Sequence, residues 1–192
     1  MLRALLLSLA LAGVSFAVSA DTPAQEALSD LPHASLPAPH RVASGRLQAS
    51  DVVALKAAGI AQVIDLSADS ETPDFDEAAA MRAAGIAYHN LPINGAGDLT
   101  RANVALFDQL LREAGTQETL VHCASSNRVG AMIALRAALI DGKSSEAALA
   151  EGRRWGMKSL EPAVRERLQA WSASPQHGRQ EQGLPASSGT TP

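Results

Sequence analysis

The sequence feature that most restricts the fold is a regular alternation of strand-like and helix-like segments after residue 40. Short apolar runs alternate with segments whose apolar residues recur every three to four positions, the spacing of one helix face. Because strands separated by helices pair in parallel, this order predicts an α/β fold with a mainly parallel central sheet flanked by helices. Predicted strands lie at 41–47, 61–66, 87–93 and 119–122, and predicted helices at 50–58, 77–84, 100–111, after residue 128, at 145–155 and at 159–172.

The two ends of the chain differ in composition from this alternating region. Residues 1–20 combine an early positive charge, an uncharged apolar run and a small-residue site ending at Ala20. This is the pattern of a secretory signal peptide cleaved after Ala20, and it predicts an exported, periplasmic protein. We expect residues 21–40 to form a leader or linker, residues 41–173 one folded domain, and residues 174–192 a disordered tail.

Charge and composition exclude several classes of function. The formal net charge is −4, and it becomes −5 when Arg3 leaves with the signal peptide. A mildly acidic chain without a basic run is a poor candidate for nucleic-acid binding. The apolar run in residues 4–18 is short for a membrane span, and no later segment approaches the required length of about 20 residues. The five histidines show no metal-ligand spacing, so we expect no metal and no cofactor.

The chain has one cysteine, Cys123, which is unusual for an exported protein because such proteins generally pair their cysteines in disulfides. Cys123 ends a predicted strand, and a small polar loop and an apolar helix pattern follow it. The N–H groups and the dipole at a helix N-terminus attract anions and stabilise a thiolate. We therefore predict a reactive thiol beside an anion site, although an inert core cysteine is the alternative.

The segment from His122 to Arg128 resembles the active-site loop of the protein tyrosine and dual-specificity phosphatase superfamily. More closely, the chain resembles the small bacterial phosphatase-like group named after the domain fused to beta-lactamase-hydrolase-like proteins. The likeness covers about Val42 to Val164, and it is carried by residues 63–66 with 69–71, by 122–128 and by 156–162. It implies that the predicted domain at 41–173 is a phosphatase-like catalytic domain.

This resemblance implies a role for each residue of the loop. Cys123 would attack phosphorus as a thiolate and form a cysteinyl-phosphate. The N–H groups of Ala124, Ser125, Ser126, Asn127 and Arg128, together with the Arg128 guanidinium, would bind the phosphoryl oxygens. Asp98, in a loop 25 residues upstream, would protonate the leaving oxygen, and His122 would tune the thiol. The implied partner is a small phosphorylated substrate or a phosphoprotein.

The spacing within the loop departs from the phosphatase pattern. Four residues separate Cys123 from Arg128, whereas phosphatases of this superfamily have five. Four is common in rhodanese-like sulfurtransferases, in which the cysteine takes a sulfane sulfur and becomes a persulfide. The loop also lacks the glycine that both families often carry, where Ser125 or Ser126 stands. A rhodanese usually has an arginine soon after its Ile-Asp strand, and Ser67 stands at that place.

Three functions therefore remain open at this point: a phosphatase-like hydrolase, a sulfurtransferase that acts through a Cys123 persulfide and takes sulfur from a sulfane donor, and a catalytically weak anion-binding or partner-binding domain.

Several of the candidate site residues also have simpler interpretations. Asp98 follows a glycine ahead of a helix, which is a common turn and capping pattern. His122 is equally compatible with an ordinary hydrogen-bonded position at a strand end. Asp65 and Glu71 are expected to be ordinary strand-end and loop carboxylates.

Overall fold

The computed structural model describes residues 28 and 30–173. The predicted signal peptide and the predicted tail lie outside the described residues. Within them, the chain forms five strands: β1 (Ser35–Ala38), β2 (Arg41–Ser44), β3 (Gln62–Asp65), β4 (Ala87–Asn90) and β5 (Thr119–His122). It also forms six α-helices: α1 (Asp51–Ala57), α2 (Glu77–Ala84), α3 (Arg101–Ala114), α4 (Asn127–Leu139), α5 (Ser145–Arg154) and α6 (Glu161–Ala173).

The five strands form one sheet with the order β1-β2-β5-β3-β4. The three pairings β2–β5, β5–β3 and β3–β4 are parallel, and β1 adds to the edge in the antiparallel direction. The predicted α/β architecture with a mainly parallel sheet is therefore confirmed. Two short 3₁₀ turns, Asp69–Glu71 and Ala96–Asp98, lie in the connections that follow β3 and β4.

The sheet separates two hydrophobic cores, because successive residues of a strand point to opposite faces. Val42, Val63 and Leu120 belong to the cluster that also contains Leu55 of α1 and Met81 of α2. The next residues along the same strands point to the other cluster, which contains residues of α3, α4, α5 and α6: Ala43, Ile64 and Val121. Both faces of the sheet are thus covered, which explains why its central strands are apolar at almost every position.

The last residues of the four parallel strands lie side by side. Ser44 pairs with His122, His122 with Asp65, and Asp65 with Asn90. This row places polar side chains at the carboxyl-terminal edge of the sheet, on the face covered by α1 and α2. Ligands of open parallel sheets bind beyond this edge, which is also the edge from which the cysteine loop leaves β5.

Two of the helix-capping residues predicted from the sequence, Thr100 and Gly85, cap their helices in the structure, whereas Ser50 does not. Thr100 caps α3 by accepting a hydrogen bond from the N–H of Asn103 at 3.2 Å, and Gly85 ends α2 with a φ of 77°. Ser50 precedes α1 without a side-chain capping bond, because it has a helical backbone conformation rather than an extended one.

The structured region extends upstream of residue 41. Strand β1 lies within the segment that the sequence predicts to be a leader. Leu28 and Leu31 are 3% and 5% exposed in the core beneath α1 and α2. Sequence reasoning did not predict this strand because Pro32, Pro37 and Pro39 lie within or close to it. Pro37 is tolerated there because an edge strand can lack an N–H donor.

Helices α4 and α5 approach closely through two glycines. A Cβ atom added at Gly130 would lie 2.3 Å from the backbone N of Met157 and 2.4 Å from the carbonyl oxygen of Gly152. A side chain at either glycine would separate the helices. This close approach brings the connection between α5 and α6 next to the start of α4. Across the residues that the structure describes, no helix combines the length and the apolar character needed to cross a membrane.

Candidate active site

Cys123 lies between β5 and α4, as the sequence predicts, and its side chain is 1% exposed. Ala124 is exposed, Ser125 is half-buried, and Ser126 is the residue before the first helical turn. The N–H groups in the first turn of a helix have no acceptor within that helix. The strand end and the helix start therefore place a thiol beside a group of backbone donors that favours an anion.

The loop contains a residue in the left-handed backbone region. Ser126 has a φ of 60°, a conformation in which glycine is favoured and other residues are uncommon. Ser126 therefore occupies the position at which the resemblance leads one to expect a glycine. Its side chain is buried, and its hydroxyl donates a 3.4 Å hydrogen bond to the carbonyl oxygen of His33.

A glycine on the opposite side makes room for Ser126. A Cβ atom added at Gly156 would lie 2.5 Å from the Cβ of Ser126, and Gly156 itself has a φ of 93°. The backbone between α5 and α6 can therefore pass directly against the cysteine loop. Because Gly156 has no side chain, the side chain of Ser126 fits between the loop and this connection.

Asn127 ties the cysteine loop to the same connection. Its Oδ1 accepts hydrogen bonds from the N–H of Lys158 at 2.7 Å and from the N–H of Leu160 at 3.3 Å. Its Nδ2 donates to the hydroxyl of Ser159 at 2.8 Å. Only the backbone N–H of Asn127 remains for the predicted anion binding, because its side chain is hydrogen-bonded to the connection between α5 and α6.

The guanidinium of Arg128 is held by a carboxylate from the loop after β3. Its Nη1 donates to Oε1 of Glu71 at 2.6 Å, and its Nη2 donates to Oε2 at 2.7 Å. Nη1 also donates to the carbonyl oxygens of Leu66, at 3.3 Å, and Ile93, at 3.1 Å. Two parallel hydrogen bonds to one carboxylate fix the plane of the guanidinium, leaving Nε and the second Nη2 proton for another acceptor.

The hydrogen bonds between Arg128 and Glu71 shift the pKa values of both side chains. The pKa of Glu71 lies below its ordinary value, chiefly because Arg128 donates hydrogen bonds to the carboxylate. The pKa of Arg128 lies above its ordinary value, chiefly because of the hydrogen bonds to Glu71, and a Cys123 thiolate nearby adds to the effect. The Arg128 guanidinium is therefore near enough to Cys123 for the charges of the two side chains to interact.

His122 points away from the thiol, to the opposite face of the sheet. Its Nε2 donates to Oε1 of Glu77 at 2.8 Å and lies 3.4 Å from Oδ1 of Asp65, and all three side chains are buried. Oδ2 of Asp65 accepts a 3.0 Å hydrogen bond from the hydroxyl of Tyr88. Burial raises the pKa of Tyr88, and the carboxylates of Asp65 and Glu77 raise it further. Any influence of His122 on Cys123 therefore passes through the backbone that joins them rather than through ring contact.

Asp65, Glu77 and His122 also form the candidate metal-binding group of the described residues. Their ligand atoms lie within 4.8 Å of one another. Sequence spacing gave no sign of this group, because it draws one residue from each of β3, α2 and β5. Hydrogen bonding among the three side chains explains their proximity, since Nε2 of His122 contacts both carboxylates directly.

Asp98 braces the loop that contains it. Its Oδ2 accepts hydrogen bonds from the N–H of Asn94 at 2.7 Å and from the Nδ2 of the same residue at 3.0 Å. Its carbonyl oxygen accepts from Nδ2 of Asn103 at 2.8 Å. These contacts are the turn and capping role that the simpler interpretation of Asp98 predicts, and they leave Oδ1 as the oxygen on which an acid would carry its proton.

Sequence reasoning missed the carboxylates that hold Arg128 and His122. It treated Glu71 as an ordinary loop residue and did not single out Glu77. The signal available was topological, because loops after neighbouring parallel strands emerge at the same edge of the sheet. A buried or partly buried cation at that edge needs an anionic partner, and Glu71 ends the 3₁₀ turn after β3.

Several solved structures are similar to this fold. A protein from Shewanella putrefaciens CN-32 described as a "putative phosphatase (DUF442)" has 23% sequence identity and a TM-score of 0.59, covering 76% of this chain and 97% of that one. Another described as a putative phosphatase, from Neisseria meningitidis Z2491, has 24% identity and a TM-score of 0.59, covering 70% and 95%. A cysteine-to-serine variant of P. aeruginosa TpbA in complex with pTyr has 20% identity and a TM-score of 0.53, covering 76% and 98%.

These similarities establish the fold. No family model matches the sequence, and no curated protein matches it significantly. The neighbours are tyrosine and dual-specificity phosphatase-like structures, so the fold predicted from the cysteine motif is confirmed. Chemistry has to be argued from the site, because one fold supports many functions.

Proposed function

We propose that this chain, whose fold is that of tyrosine and dual-specificity phosphatase-like proteins, is a cysteine-dependent phosphatase that hydrolyses phosphate monoesters. The observation that supports the proposal most directly is the position of Arg128. Arg128 lies in the first turn of α4, directly after the cysteine loop, and Glu71 fixes the orientation of its guanidinium with two hydrogen bonds. A fixed guanidinium with donors left over is suited to bind two oxygens of a phosphoryl group.

The reaction would proceed in two displacements. In the first, the Cys123 thiolate forms a bond to phosphorus, the P–O ester bond breaks, and the leaving oxygen takes a proton from Asp98. In the second, water attacks phosphorus, the S–P bond breaks, and Asp98 accepts the proton that water loses. The N–H groups of Ala124 to Arg128 and the Arg128 guanidinium would stabilise the charge on the phosphoryl oxygens in both transition states.

The proposed catalytic roles are tested with an aryl phosphate as substrate. Cys123→Ser should lower kcat by roughly 1,000-fold or more, because the weakly acidic hydroxyl replaces the nucleophile. Asp98→Asn should lower kcat by roughly 100-fold with a poor leaving group and by much less with a good one, because only the poor one needs a proton. Glu166→Gln, on the exposed surface of α6, is the matched control. Turnover that survives both active-site substitutions would refute the proposal.

A sulfurtransferase is the second candidate, and the four-residue spacing between Cys123 and Arg128 favours it. In that reaction the thiolate attacks the sulfane sulfur of a donor, the donor S–S bond breaks, and Cys123 becomes a persulfide. Mass spectrometry after incubation with thiosulfate would show a gain of one sulfur on Cys123. Asp98→Asn would leave this reaction unchanged, since no leaving group has to be protonated, so the same variant separates the two chemistries.

The proposed substrate rests on a similar structure, and the proposed location rests on the first twenty residues of the sequence. The similar structure of TpbA contains pTyr, and by analogy we propose a phosphorylated small molecule or phosphoprotein as the substrate. The signal-peptide pattern of residues 1–20 suggests that the protein works outside the cytoplasm. An unpaired thiol there is exposed to oxidation, so activity assays should include a reductant.

A further inference from the structure

Arg46 stands beside the cysteine loop and shares the carboxylate that holds Arg128. The N–H of Arg46, just after β2, donates to the carbonyl oxygen of Ala124 at 3.3 Å. The Nη2 of Arg46 lies 3.9 Å from Oε2 of Glu71, the oxygen that accepts the 2.7 Å hydrogen bond from Nη2 of Arg128. Two guanidinium groups therefore lie against one carboxylate oxygen at the edge of the anion site.

The contact between Arg46 and Glu71 is too long for a hydrogen bond, and within residues 28 and 30–173 the Arg46 guanidinium donates no hydrogen bond. A separation of 3.9 Å is outside the range of about 2.7 to 3.2 Å for an N–H···O hydrogen bond. The side chain of Arg46 is 51% exposed, whereas that of Arg128 is 12% exposed. Glu71 is already occupied by two hydrogen bonds from Arg128. Arg46 thus presents its donors to solvent at the side of the loop.

Lys158 supplies a further exposed positive charge next to Asn127 of the loop. Its N–H donates to Oδ1 of Asn127 at 2.7 Å, and its side chain is exposed. Among residues 28 and 30–173, Lys158 forms no ion pair. Because Glu71 neutralises Arg128, the charges of Arg46 and Lys158 remain in excess around the proposed anion site.

We propose that Arg46, assisted by Lys158, forms a second anion subsite, so that the preferred substrates carry a phosphate or carboxylate next to the phosphoryl group that is cleaved. The substrate preference rests on the proposed phosphatase function, whereas anion binding at the subsite can be measured without any turnover. It predicts that an anion with two charged groups binds more tightly than one with a single group. It also predicts that substituting Arg46 weakens the binding of the anion with two charged groups and leaves the affinity for the anion with one group unchanged.

The binding experiment needs no turnover. Orthophosphate and pyrophosphate are titrated calorimetrically into the full chain in the presence of reductant. We expect pyrophosphate to bind about tenfold more tightly than orthophosphate, the gain that one charge-assisted hydrogen bond provides. Arg46→Ala should remove most of this gain, Lys158→Ala part of it, and Arg46→Lys should retain some of it. Arg82→Ala, which removes an exposed arginine from α2 and changes the net charge equally, is the matched control.

The kinetic experiment compares phenyl phosphate with 2-carboxyphenyl phosphate and catechol bisphosphate, measuring released orthophosphate. Arg46→Ala should raise KM about tenfold for the two substrates with a second anionic group and leave the KM for phenyl phosphate within about twofold. A residue that only braces Glu71 would instead change kcat for all three substrates alike. That outcome, or equal affinities for orthophosphate and pyrophosphate, would overturn the proposal.

The two experiments separate the subsite from the chemistry. If the protein turns over none of the three phosphates but binds pyrophosphate in preference to orthophosphate through Arg46, the subsite stands and the phosphatase proposal fails. If it hydrolyses phenyl phosphate but shows no preference in either experiment, the phosphatase proposal stands and the subsite is rejected.

Discussion

At the scale of single residues, the site depends on which carboxylate holds each polar side chain of the cysteine motif. Arg128 is held by Glu71 and His122 by Glu77, and each carboxylate comes from a segment far from the motif in sequence. A carboxylate that fixes a guanidinium determines which of its N–H groups remain for a ligand. The conformation of Arg128 is therefore decided by Glu71 as much as by the cysteine loop.

The first prediction concerns acid stability and the pair of Glu71 with Arg128. The folded-state pKa of Glu71 is lowered by hydrogen bonds from Arg128, relative to an ordinary value of 4.5. A lowered carboxyl pKa stabilises the fold at pH values above the ordinary one. This stabilisation is lost as the pH falls below that value and through the folded pKa. Glu71→Gln should therefore reduce the free energy of unfolding by about 1–2 kcal/mol at pH 7 and by less at pH 3.

Urea denaturation of wild type and Glu71→Gln between pH 3 and pH 7 measures this effect. Glu166→Gln removes an exposed carboxylate from α6 and serves as the control, with little expected change at either pH. A deficit for Glu71→Gln that stays constant over the whole range would show that the carboxylate charge does not stabilise the fold. In an activity assay the same variant should raise KM, because Arg128 loses its orientation.

At the scale of secondary-structure elements, the loop is shaped by the helices that follow it. Close approach of α4 and α5 at Gly130 and Gly152 brings the connection between α5 and α6 against the cysteine loop. Asn127 then binds the backbone of that connection, and Gly156 leaves space for Ser126. The C-terminal helices thus support the anion site even though they contribute no predicted catalytic residue.

The second prediction uses the contact between Ser126 and Gly156. Gly156→Ala places a Cβ atom 2.5 Å from the Cβ of Ser126, at a residue whose φ of 93° also disfavours a side chain. We expect it to lower the free energy of unfolding by about 2–4 kcal/mol and to lower kcat/KM. Ser126→Gly should be neutral or slightly stabilising, because glycine adopts the φ of 60° without strain.

A double-mutant cycle isolates the steric contact from the backbone strain. In the double variant, Ser126→Gly should recover part of the stability that Gly156→Ala loses, since the clash is removed while the strain at residue 156 remains. Gly97→Ala is the control, because a Cβ atom added at Gly97 would have no atom within 4 Å and the φ of this residue is not positive. Strict additivity of the two substitutions would show that the loop and the connection are independent.

At the scale of the whole molecule, the sheet order brings the site together. Strand β5 lies between β2 and β3, so the loops after these three strands meet at one edge. Arg46 follows β2, Glu71 follows β3, and Cys123 follows β5. The three segments are adjacent because of the strand order, and no local pattern connects them.

The third prediction concerns the start of the folded region. A chain that begins at Arg41 loses β1 and the buried side chains of Leu28 and Leu31. We expect the free energy of unfolding to fall by about 3–5 kcal/mol, because two leucines leave the core and the edge of β2 becomes unpaired. A chain that begins at Asp21 is the control and should match the full chain in urea denaturation. Equal stability of the two shortened chains would contradict the packing of this segment.

The sequence alone predicted the α/β class, most of the strand and helix positions, and the loop that contains Cys123 and Arg128. These features depend on local patterns: apolar periodicity, capping residues and the spacing of a short motif. The same reasoning left out β1, because prolines mask an edge strand, and it assigned Asp65 and Glu71 no particular part. The acid role of Asp98 stays a prediction, and its hydrogen bonds to Asn94 show only its structural part.

The sequence by itself determined that this protein has a mainly parallel sheet and an unpaired thiol followed by an arginine at a helix start, because local patterns in consecutive residues specify both. Only the tertiary structure decided which carboxylate fixes Arg128, which face of the sheet His122 occupies, and which second cation stands beside the loop. These outcomes depend on strand order and on alternation across the sheet, which bring together residues separated by 25 to 78 positions in the chain. Local sequence patterns carry no information about contacts over such separations.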